Sequence, residues 1–548
     1  MSQMQLVVPM AGFGERFRQA GYKTPKPLID IDGQPMIAHI LGQFGSIADP
    51  LLICNAEHLA DPAYAMAAQL AQVSPQARIV GIPSHKLGPV HSTLAAADRI
   101  DDDRPVVVTY CDCVSVFDWA QLVDFIAQGD YDGVIPAYRG FHPHLRRSMF
   151  HAYIRESAGH VIDIQEKQPF TVDPINEYAS SGIYYFASGA LLKRACQAVV
   201  DQNISAVGEY FISLAYKPLL EQGRDIRIFE IPHFLNWGTP EDVSDYRSWH
   251  RAFASIVAPR PAAAQAGTLL MPMAGLGQRF AQRGITTIKP LIPVSGRPMA
   301  VQAALAMPRA ERTIFVLRAD TAGLGTLQAS LREAFPQAEF HLLAAPTDGQ
   351  ARTCVHALAD VDGNAPLTIM ACDSAVTYSA ARFHALMADA DVDLVVWTAR
   401  GLPCVDLTPG AYSWVEAEGD VCRSVSVKHP LNDPFHDPVV LGGFTFKRAA
   451  DFVASAERIF SQERRVGGEF YVDACVNAAI EMGLKARIIE VDAFLNWGTP
   501  EDLDTFLYWQ AGFHRWSGHP YDMMRDPMIP AGQRDAVIAG ALGGQGRG

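Results

Sequence analysis

Two segments of the chain place glycines and cations at the same spacing. They are Gly12-x-Gly14-x-Arg16 followed by Lys26, and Gly275-x-Gly277-x-Arg279 followed by Lys289, with the lysine 14 positions after the first glycine in both copies (26 − 12 and 289 − 275). Glycines after a strand let backbone N–H groups approach a polyphosphate closely. Arginine adds a fixed fork of donors for phosphate oxygens, and lysine adds a point charge. The repeated pattern therefore predicts phosphate binding rather than a tight turn with two solvated cations.

Two well-known phosphate-binding loops do not fit these segments. The dinucleotide-binding fingerprint needs a third glycine where the chain has Phe17. The Walker A loop ends in Gly-Lys-Ser/Thr, and neither segment has that ending. A different kind of nucleotide site is therefore predicted.

Carboxylates and further lysines recur in the same register. Asp112 and Asp373 each follow an apolar, strand-like run, and Lys167 and Lys428 stand 55 positions after them. A shared segment, Asn-Trp-Gly-Thr-Pro-Glu-Asp, begins at Asn236 and again at Asn496. A register kept over such lengths indicates a tandem duplication.

The order of elements gives the expected fold class and domain boundaries. A chain of 548 residues is too long for one core. Short apolar runs alternate with helical stretches, which predicts an α/β fold with a mostly parallel sheet flanked by helices and a β-hairpin-rich second part in each half. Ligands of such sheets gather beyond the carboxyl ends of the strands. We expect domains at 1–253 and 268–516, a small-residue, proline-marked linker at 254–267, and a poorly ordered tail at 517–548.

Composition restricts the partners. A formal net charge of −14 disfavours nucleic acid and anionic membranes, although a few well-placed cations still suffice for a polyphosphate. The nine cysteines are scattered, as in a reduced compartment. Cys111 and Cys113 flank Asp112, but the second copy has Ser374 in place of the second thiol, so no thiolate metal site is predicted. With no apolar run of about 18 residues and no signal-like N-terminus, we expect a cytoplasmic protein without a membrane span.

Taken together, these motifs resemble the start and the interior of the sugar-phosphate nucleotidyltransferases, or NDP-sugar pyrophosphorylases. The resemblance rests on Gly-x-Gly-x-Arg, Pro-Lys26-Pro-Leu, Asp112, Glu166-Lys167, Ser-Gly182 and the closing Gly-Thr-Pro-Glu-Asp segment. It recurs in the second half and implies two tandem GT-A-like (Rossmann-like) domains. It also implies a reaction in which a sugar 1-phosphate attacks the α-phosphorus of a nucleoside triphosphate and pyrophosphate leaves, for surface polysaccharide or glycoconjugate synthesis.

The resemblance also implies roles for individual residues. Arg16 and Lys26 would hold the triphosphate, and Lys167 the acceptor phosphate, with Arg279, Lys289 and Lys428 as their counterparts. Mg²⁺ would be bound by Asp112 and Asn236, and in the second half by Asp373 and Asn496. The nucleotide would contact Ala11, Gly12, Gly14 and Gly88, and in the second half Gly275, Gly277 and Gly349. Glu166, Gly182 and Glu209 would contact the acceptor. The partners would be a nucleoside triphosphate and a phosphorylated sugar or related phosphate, and the chain could form a homo-oligomer.

Asn236 departs from the family pattern, which places a second metal carboxylate there. An amide oxygen can still ligate Mg²⁺, but a turn residue ahead of a helix explains Asn236 about as well. The second half has Val427 in place of Glu166, so its presumed acceptor contact is lost while its nucleotide residues persist.

Other functions stay open at this point. They are a cytidylyltransferase acting on a non-sugar phosphate, a second domain that only binds and reports on a nucleotide, and a glycosyltransferase, which would want an Asp-x-Asp motif that the chain lacks at Asp112. His142 and His144, near two arginines, are predicted to lie in a solvated turn rather than in a phosphate site. Lys26→Ala is expected to leave the fold intact, on the premise that Lys26 is an exposed charge.

Overall fold

The protein folds into two compact units, Met1–Arg247 and Ser248–Leu542. The computed structural model describes residues 4–45, 47, 50–147, 151–258, 263–403 and 405–543. Both units are mixed α/β, and each is built around one large sheet.

Within its described residues, unit 1 contains fourteen strands and the helices that connect them. The strands are β1 (Gln5–Met10), β2 (Asp30–Ile31), β3 (Gln34–Pro35), β4 (Leu51–Asn55), β5 (Arg78–Ile82), β6 (Val106–Thr109), β7 (Cys113–Val116), β8 (Gly133–Tyr138), β9 (Ala152–Ser157), β10 (His160–Glu166), β11 (Tyr178–Ser180), β12 (Ile183–Phe186), β13 (Ile226–Glu230) and β14 (His233–Asn236). The helices are α1 (Glu15–Gln19), α2 (Met36–Gly42), α3 (Ala56–Ala60), α4 (Met66–Val73), α5 (Pro89–Ala95), α6 (Trp119–Ala127), α7 (Gly189–Asp201), α8 (Tyr216–Glu221) and α9 (Pro240–Ile256), the last of which ends in unit 2.

The large sheet of unit 1 has the order β11-β9-β10-β13-β8-β12-β6-β1-β4-β5. Strands β5, β4, β1 and β6 run parallel, as do β8 and β13. Strand β12 lies antiparallel between β6 and β8, and β9, β10 and β11 are joined by antiparallel pairings. The sheet as a whole is thus mixed rather than mostly parallel, while the expected hairpin-rich second part is present and continuous with the same sheet.

Burial on both faces explains why the parallel strands read as unbroken apolar runs. All six residues of β1 and all four of β6 are buried. Strands covered on both faces have no solvent-facing positions to alternate with. The first polar residues after these strands therefore stand at the edge where a ligand can be reached.

Unit 2 repeats the strand order of unit 1. Its strands are β15 (Ala264–Pro272), β16 (Pro293–Val294), β17 (Arg297–Pro298), β18 (Arg309–Arg318), β19 (Glu339–Leu343), β20 (Leu367–Met370), β21 (Ser374–Thr377), β22 (Leu394–Ala399), β23 (Trp414–Glu418), β24 (Val421–Ser426), β25 (Val439–Phe446), β26 (Ala486–Glu490) and β27 (Ala493–Asn496). Its helices are α10 (Gln278–Gln282), α11 (Met299–Leu305), α12 (Leu324–Ala334), α13 (Gln350–His356), α14 (Ala380–Ala388), α15 (Ala449–Ser461), α16 (Val472–Glu481), α17 (Pro500–Arg515) and α18 (Arg534–Gly543). The sheet order β23-β24-β26-β22-β25-β20-β15-β18-β19 matches β9-β10-β13-β8-β12-β6-β1-β4-β5 strand for strand.

The C-terminal segment differs from its prediction. Tyr521, Met523 and Ile529 are buried, and the hydroxyl of Tyr521 donates to Asp526 at 2.5 Å. The side chain of Gln302 donates to the carbonyl of Met528 at 2.7 Å, which ties the segment to α11. Residues 517–542 therefore pack as part of unit 2, because a few apolar side chains outweigh the glycine-rich composition. The last residues of the expected tail, 544–548, lie outside the described residues.

The expected linker is also partly structured. Strand β15 begins at Ala264, inside the range 254–267, and pairs with β18 from Ala264 onward. Residues 259–262 of that range lie outside the described residues.

Helix length bears on the expectation of no membrane span. Helices α9 and α17 have 17 and 16 residues and carry charged side chains along their length. Within the described ranges, no helix has both the length and the apolar character needed to cross a membrane.

Candidate active site

The glycine loop connects β1 to α1 and requires glycine at one position for steric reasons. Gly14 has φ +63°, and a Cβ there would lie 3.4 Å from Cβ of Lys26. Gly277 has φ +61°, and its Cβ would lie 3.2 Å from Cβ of Lys289. Left-handed backbone costs an ordinary residue about 1–2 kcal/mol, so glycine is favoured at both turns. A Cβ at Gly12 would meet no atom within 4 Å, so the loop stays open beside it.

Lys26 is anchored at the end of β6. Its Nζ lies 2.6 Å from Oδ2 of Asp112 and 3.1 Å from the carbonyl oxygen of Gly238, and it stands over the ring of Phe17. The side chain of Lys26 is 17% exposed, against 27% for Asp112. The premise that Lys26 is an exposed charge is therefore wrong. The chain brings the lysine back to the strand end, where it pairs with a carboxylate in a half-buried setting.

Asn236 occupies a turn that starts α9. Strand β14 pairs with β7 so that Asn236 lies opposite Cys113, next to Asp112. Its Oδ1 accepts from the N–H of Gly238 at 3.1 Å, and its Nδ2 donates to Oδ2 of Asp242 at 2.8 Å. Burial raises the pKa of Asp242 to about 6. The turn role is thus built into the structure, while the amide oxygen keeps a second lone pair that a cation could use.

The hairpin formed by β9 and β10, with the segments packed beside it, makes up a second side of the site (the hairpin side) and carries a carboxylate and a lysine. Glu166 ends β10, and Lys167 follows in left-handed conformation with φ +61°. Ser213 donates its hydroxyl to Oε2 of Glu166 at 2.5 Å. Burial raises the pKa of Glu166 to about 7, although the Ser213 hydrogen bond and the Lys167 charge oppose this shift. Nζ of Lys167 stands 4.3 Å from the ring centre of Phe211.

Gly88 is needed for a close backbone contact. It has φ +89°, and a Cβ there would lie 2.7 Å from the carbonyl oxygen and 2.8 Å from the nitrogen of Tyr210. Gly349 has the same role in unit 2, where a Cβ would lie 2.3 Å from the nitrogen of Phe470. These glycines hold the segments that begin with Glu209 and Glu469 against the loops before α5 and α13.

One cavity of about 540 Å³ in unit 1 gathers these groups. Of the residues predicted for the first half, eleven line it: Gly12, Gly14, Arg16, Lys26, Gly88, Asp112, Glu166, Lys167, Gly182, Glu209 and Asn236. Ala11 is buried at the end of the strand, behind the loop. The glycine loop and Asp112, about a hundred positions apart in the sequence, thus meet at the carboxyl ends of β1 and β6.

Several lining residues were not predicted. Tyr110, His85, Lys86 and His151 contribute to the cavity wall. Tyr110 directly precedes Cys111-Asp112 at the end of the apolar run, and that position could have identified it. For His151 the sequence offers no comparable signal, because the residue stands ahead of β9 in an irregular stretch.

The prediction of a solvated turn at His142 and His144 is wrong. Both side chains are buried, and Nε2 of His144 is 2.9 Å from the hydroxyl of Tyr138. Burial lowers the pKa of His142 to about 3 and that of His151 to about 4. These histidines are therefore neutral at physiological pH. His144 and His151 pack as aromatic rings against Phe234, and His142 packs against Tyr138.

Unit 2 carries counterparts of the groups around the glycine loop of unit 1 (the glycine-loop side), which are the loop itself, the lysine with its partners and the asparagine turn. Lys289 lies 2.5 Å from Oδ2 of Asp373 and 2.9 Å from the carbonyl oxygen of Gly498. Oδ1 of Asn496 accepts from the N–H of Gly498 at 3.0 Å. Gly275 and Arg279 are exposed beside them. Lys428 has φ +60°, like Lys167, but the buried Val427 precedes it.

The donor set is compatible with Mg²⁺ bound together with a ligand. Among the described residues, no group of three or more His, Cys, Asp or Glu side chains is arranged to hold a metal ion. Mg²⁺ usually takes one or two carboxylates and completes its shell with water and phosphate oxygens. Asp112 with the amide oxygen of Asn236 fits that pattern, whereas burial raises the pKa of the Cys111 thiol to about 12 and leaves no thiolate there.

Comparison with known proteins points to one enzyme class. Residues 6–168 match the model of the MobA-like NTP transferase domain. The chain is 24% identical over 226 residues to the bifunctional protein GlmU of Burkholderia ambifaria, which covers 41% of this chain and 46% of GlmU. It is 25% identical over 245 residues to the UTP–glucose-1-phosphate uridylyltransferase AglF of Haloferax volcanii, covering 44% of this chain and 93% of AglF. The chain thus spans about half the length of GlmU and nearly all of AglF.

A solved structure is also similar over one part of the chain. The nucleoside-diphosphate-sugar pyrophosphorylase from Vibrio cholerae RC9 aligns with 20% identity and a TM-score of 0.36, over 44% of this chain and 98% of that one. The matched region 6–168 contains the glycine loop, Lys26, Asp112 and Glu166-Lys167. The match of residues 6–168 to the MobA-like NTP transferase domain agrees with the resemblance of the motifs to sugar-phosphate nucleotidyltransferases.

Proposed function

We propose that unit 1 transfers a nucleotidyl group from a nucleoside triphosphate to a sugar 1-phosphate and releases pyrophosphate. The observation that supports this most is that three cations and two carboxylates, Arg16, Lys26, Lys167, Asp112 and Glu166, line a single cavity. A phosphoryl displacement depends on alignment and charge neutralisation rather than on a covalent intermediate. Cations at opposite sides of one cavity suit a reaction between two phosphates.

The two sides of the cavity have separate tasks in this proposal. The glycine loop, Arg16 and Lys26 bind the triphosphate, and their charge stabilises the pyrophosphate as the bond to the α-phosphorus breaks. Lys167 neutralises the acceptor phosphate, so that its oxygen can approach the α-phosphorus in line. Glu166 accepts a hydrogen bond from an acceptor hydroxyl and orients the sugar.

Mg²⁺ belongs to the same proposal. Asp112 and the amide oxygen of Asn236 would hold it, and the ion would neutralise phosphate charge during the displacement. Because Asp112 already pairs with Lys26, the lysine holds that carboxylate in place beside the proposed phosphate site.

Acceptor-dependent release of pyrophosphate tests the function. Each nucleoside triphosphate should be combined, with Mg²⁺, with hexose 1-phosphates, hexosamine 1-phosphates and non-sugar phosphates such as glycerol 3-phosphate and inositol 1-phosphate. We expect release with one base and a sugar 1-phosphate. Release with a non-sugar phosphate alone would favour the cytidylyltransferase alternative. No acceptor-dependent release from folded protein with any of these pairs would contradict the proposal.

The raised pKa of Glu166 predicts how acceptor binding changes with pH. Below about pH 7 the carboxyl is protonated and loses its attraction for Lys167 and for acceptor hydroxyls, whereas above it the carboxylate is ionised. A hydrogen bond to a charged group contributes about 1.5–3 kcal/mol, and the ionised fraction of a group with this pKa rises about tenfold from pH 6 to pH 8, so the KM for the acceptor should fall by up to about tenfold over this range. Steady-state kinetics across this range measures the effect.

Glu166→Gln supplies the control for this pH profile. The amide has the same shape but no proton to lose in this range, so its acceptor KM should be high and flat. The KM for the nucleotide should follow neither the pH change nor the substitution. A wild-type acceptor KM that does not change between pH 6 and pH 8 would remove Glu166 from the acceptor site.

A further inference from the structure

The glycine-loop side is nearly identical in the two units. The lysine-to-carboxylate distance is 2.6 Å at Lys26 and 2.5 Å at Lys289, and the lysine-to-carbonyl distance is 3.1 Å and 2.9 Å. Phe280 lies under Lys289 as Phe17 lies under Lys26. The left-handed glycines and the asparagine turns are also repeated. The lysine, its two partners, the left-handed glycine and the asparagine turn of unit 1 therefore have counterparts in the same geometry in unit 2.

The hairpin side, by contrast, has changed although its backbone has not. Lys167 and Lys428 share the left-handed conformation, with φ +61° and +60°. Yet Nζ of Lys428 donates to the carbonyl oxygen of Ala411 at 2.6 Å, so a backbone acceptor of its own unit holds it. Val427, which replaces Glu166, is buried in the core. The lysine has lost its adjacent carboxylate and is directed to a neighbouring loop.

The carboxylate of unit 2 has moved to another element and become buried. Bridges at Glu209 and Glu469 align the following segments, so that Asp473 stands where unit 1 has Ser213. Ser413 donates its hydroxyl to Oδ2 of Asp473 at 2.5 Å, and the two side chains are 2% and 8% exposed. Unit 2 thus also has a serine–carboxylate pair, but at other positions, and both of its members are withdrawn from solvent.

The replacement of a tyrosine by a phenylalanine also makes the hairpin side of unit 2 less polar. Pairing with β6 and β20 places Phe444 where unit 1 has Tyr184, a residue that lines the cavity. The substitution removes a hydroxyl from the wall, and Phe444 is fully buried. On the hairpin side, two polar residues of unit 1 are therefore replaced by the apolar Val427 and Phe444, and the buried Asp473 is paired within its own unit.

We propose that unit 2 is a second nucleoside triphosphate site that binds its nucleotide with Mg²⁺ but does not transfer it to an acceptor. The proposal rests on the function proposed for unit 1 for the meaning of the glycine-loop side. Unchanged phosphate-binding geometry beside a closed acceptor side is what a binding unit requires. A unit that had lost all ligand binding would not need the half-buried Lys289–Asp373 pair, since isolated ion pairs contribute little to stability.

Binding stoichiometry of the full-length protein tests the first part. Isothermal titration calorimetry with the Mg²⁺ complexes of ATP, CTP, GTP, UTP and dTTP should give two nucleotide sites per chain, of one base or of two different bases. Lys26→Met and Lys289→Met should each remove a different one of the two sites. Because Lys289 is half-buried, Arg279→Gln, paired with Arg16→Gln, repeats the test at exposed positions. Each of these variants should weaken one site by about tenfold or more.

Turnover tests the second part. With any acceptor that supports pyrophosphate release by the wild-type protein, Lys26→Met should release pyrophosphate at about one hundredth of the wild-type rate or less while still binding one nucleotide. Acceptor-dependent release by Lys26→Met that disappears in the Lys26→Met, Lys289→Met double variant would overturn the proposal, because unit 2 would then be catalytic. A single site in the wild type, retained in Lys289→Met and in Arg279→Gln, would overturn it as well.

These readouts separate the two proposals. If no acceptor supports turnover, the function proposed for unit 1 fails, while the nucleotide stoichiometry still decides whether unit 2 binds. If unit 1 turns over and the calorimetry gives one site that Lys26→Met removes, the transfer function stands and the inference about unit 2 fails.

Discussion

Replacing Lys26 by methionine should lower kcat for acceptor-dependent pyrophosphate release by about 100-fold or more. Methionine keeps most of the aliphatic volume over Phe17 but removes the charge that lies 2.6 Å from Asp112. Preorganised cations act on the charge that develops as pyrophosphate leaves, and removing one such group typically costs about 10²–10³ in kcat. Steady-state and single-turnover assays of pyrophosphate release measure the loss.

The chain offers a matched control for the loss of a lysine ion pair. Nζ of Lys193 contacts a carboxylate, Asp102, at 2.9 Å and a backbone carbonyl, that of Ile100, at 2.7 Å, but Lys193 does not line the cavity. Lys193→Met should therefore leave kcat near the wild-type value. Equal losses of kcat in Lys193→Met and Lys26→Met would show that the effect of Lys26 is structural, and kcat unaffected by Lys26→Met would exclude it from the site.

Stability provides a second comparison at Lys26. Because the side chains of Lys26 and Lys289 are 17% and 19% exposed and have the same partners, Lys26→Met and Lys289→Met should destabilise their units to a similar extent. The leftover carboxylates, Asp112 and Asp373, are half-buried, so the cost is that of an unpaired charge in a partly desolvated place. This replaces the expectation, made from sequence, that the fold would be indifferent to the change.

The repeated spacing in the sequence carried information about local geometry. Fourteen positions separate Gly12 from Lys26 and Gly275 from Lys289, and in both units the lysine returns to the second glycine of its loop. Such a contact depends on a left-handed turn and a short connection, which the residue types themselves specify. The family prediction, made from the same motifs, is confirmed for residues 6–168.

Contacts between elements that are distant in the sequence could not be predicted from local sequence patterns. Ser213 donates a hydrogen bond to Glu166, which is 47 positions away in the sequence, and the type of neither residue predicts this contact. The same is true of Asp473 and Ser413, whose pairing shows that the carboxylate lost at Val427 is matched by one gained elsewhere. Register across a sheet, rather than local pattern, decides which side chains meet.

Unexpected burial of polar residues was the other reason why predictions from the sequence failed. His142 and His144 stand in a Pro-containing segment near two arginines, which is typical of a solvated turn. Neutral imidazole rings nevertheless pack well against Tyr138 and Phe234, and the burial that lowers their pKa values also keeps them neutral. Whether a histidine is a surface cation or a core ring depends on tertiary packing that the local sequence does not encode.

Replacing Gly88 by alanine should be among the most damaging single changes in unit 1. The left-handed backbone alone costs a non-glycine residue about 1–2 kcal/mol. In addition, the new Cβ would lie 2.7 Å and 2.8 Å from backbone atoms of Tyr210, which must move. The movement breaks the hydrogen bonds from Tyr210 to Leu87 and from Val90 to Tyr210, now 2.9 Å and 3.1 Å long. At about 0.5–1.5 kcal/mol each, the total loss should reach about 3 kcal/mol. Urea denaturation of the variant and the wild type measures it.

Gly159→Ala separates the steric clash from the backbone preference. Gly159 has φ +80°, close to that of Gly88, but no atom lies within 4 Å of its Cβ position, so this variant should lose only the conformational part, about 1–2 kcal/mol. Glu209 and Phe211, which flank Tyr210, line the cavity, so Gly88→Ala should also raise the KM for the acceptor, whereas Gly159→Ala should not. Equal destabilisation in the two variants, with an unchanged acceptor KM in both, would show that the backbone of Tyr210 moves away from the new Cβ at no measurable cost in stability. In that case Gly88 would not be what holds the Glu209 segment against the cavity.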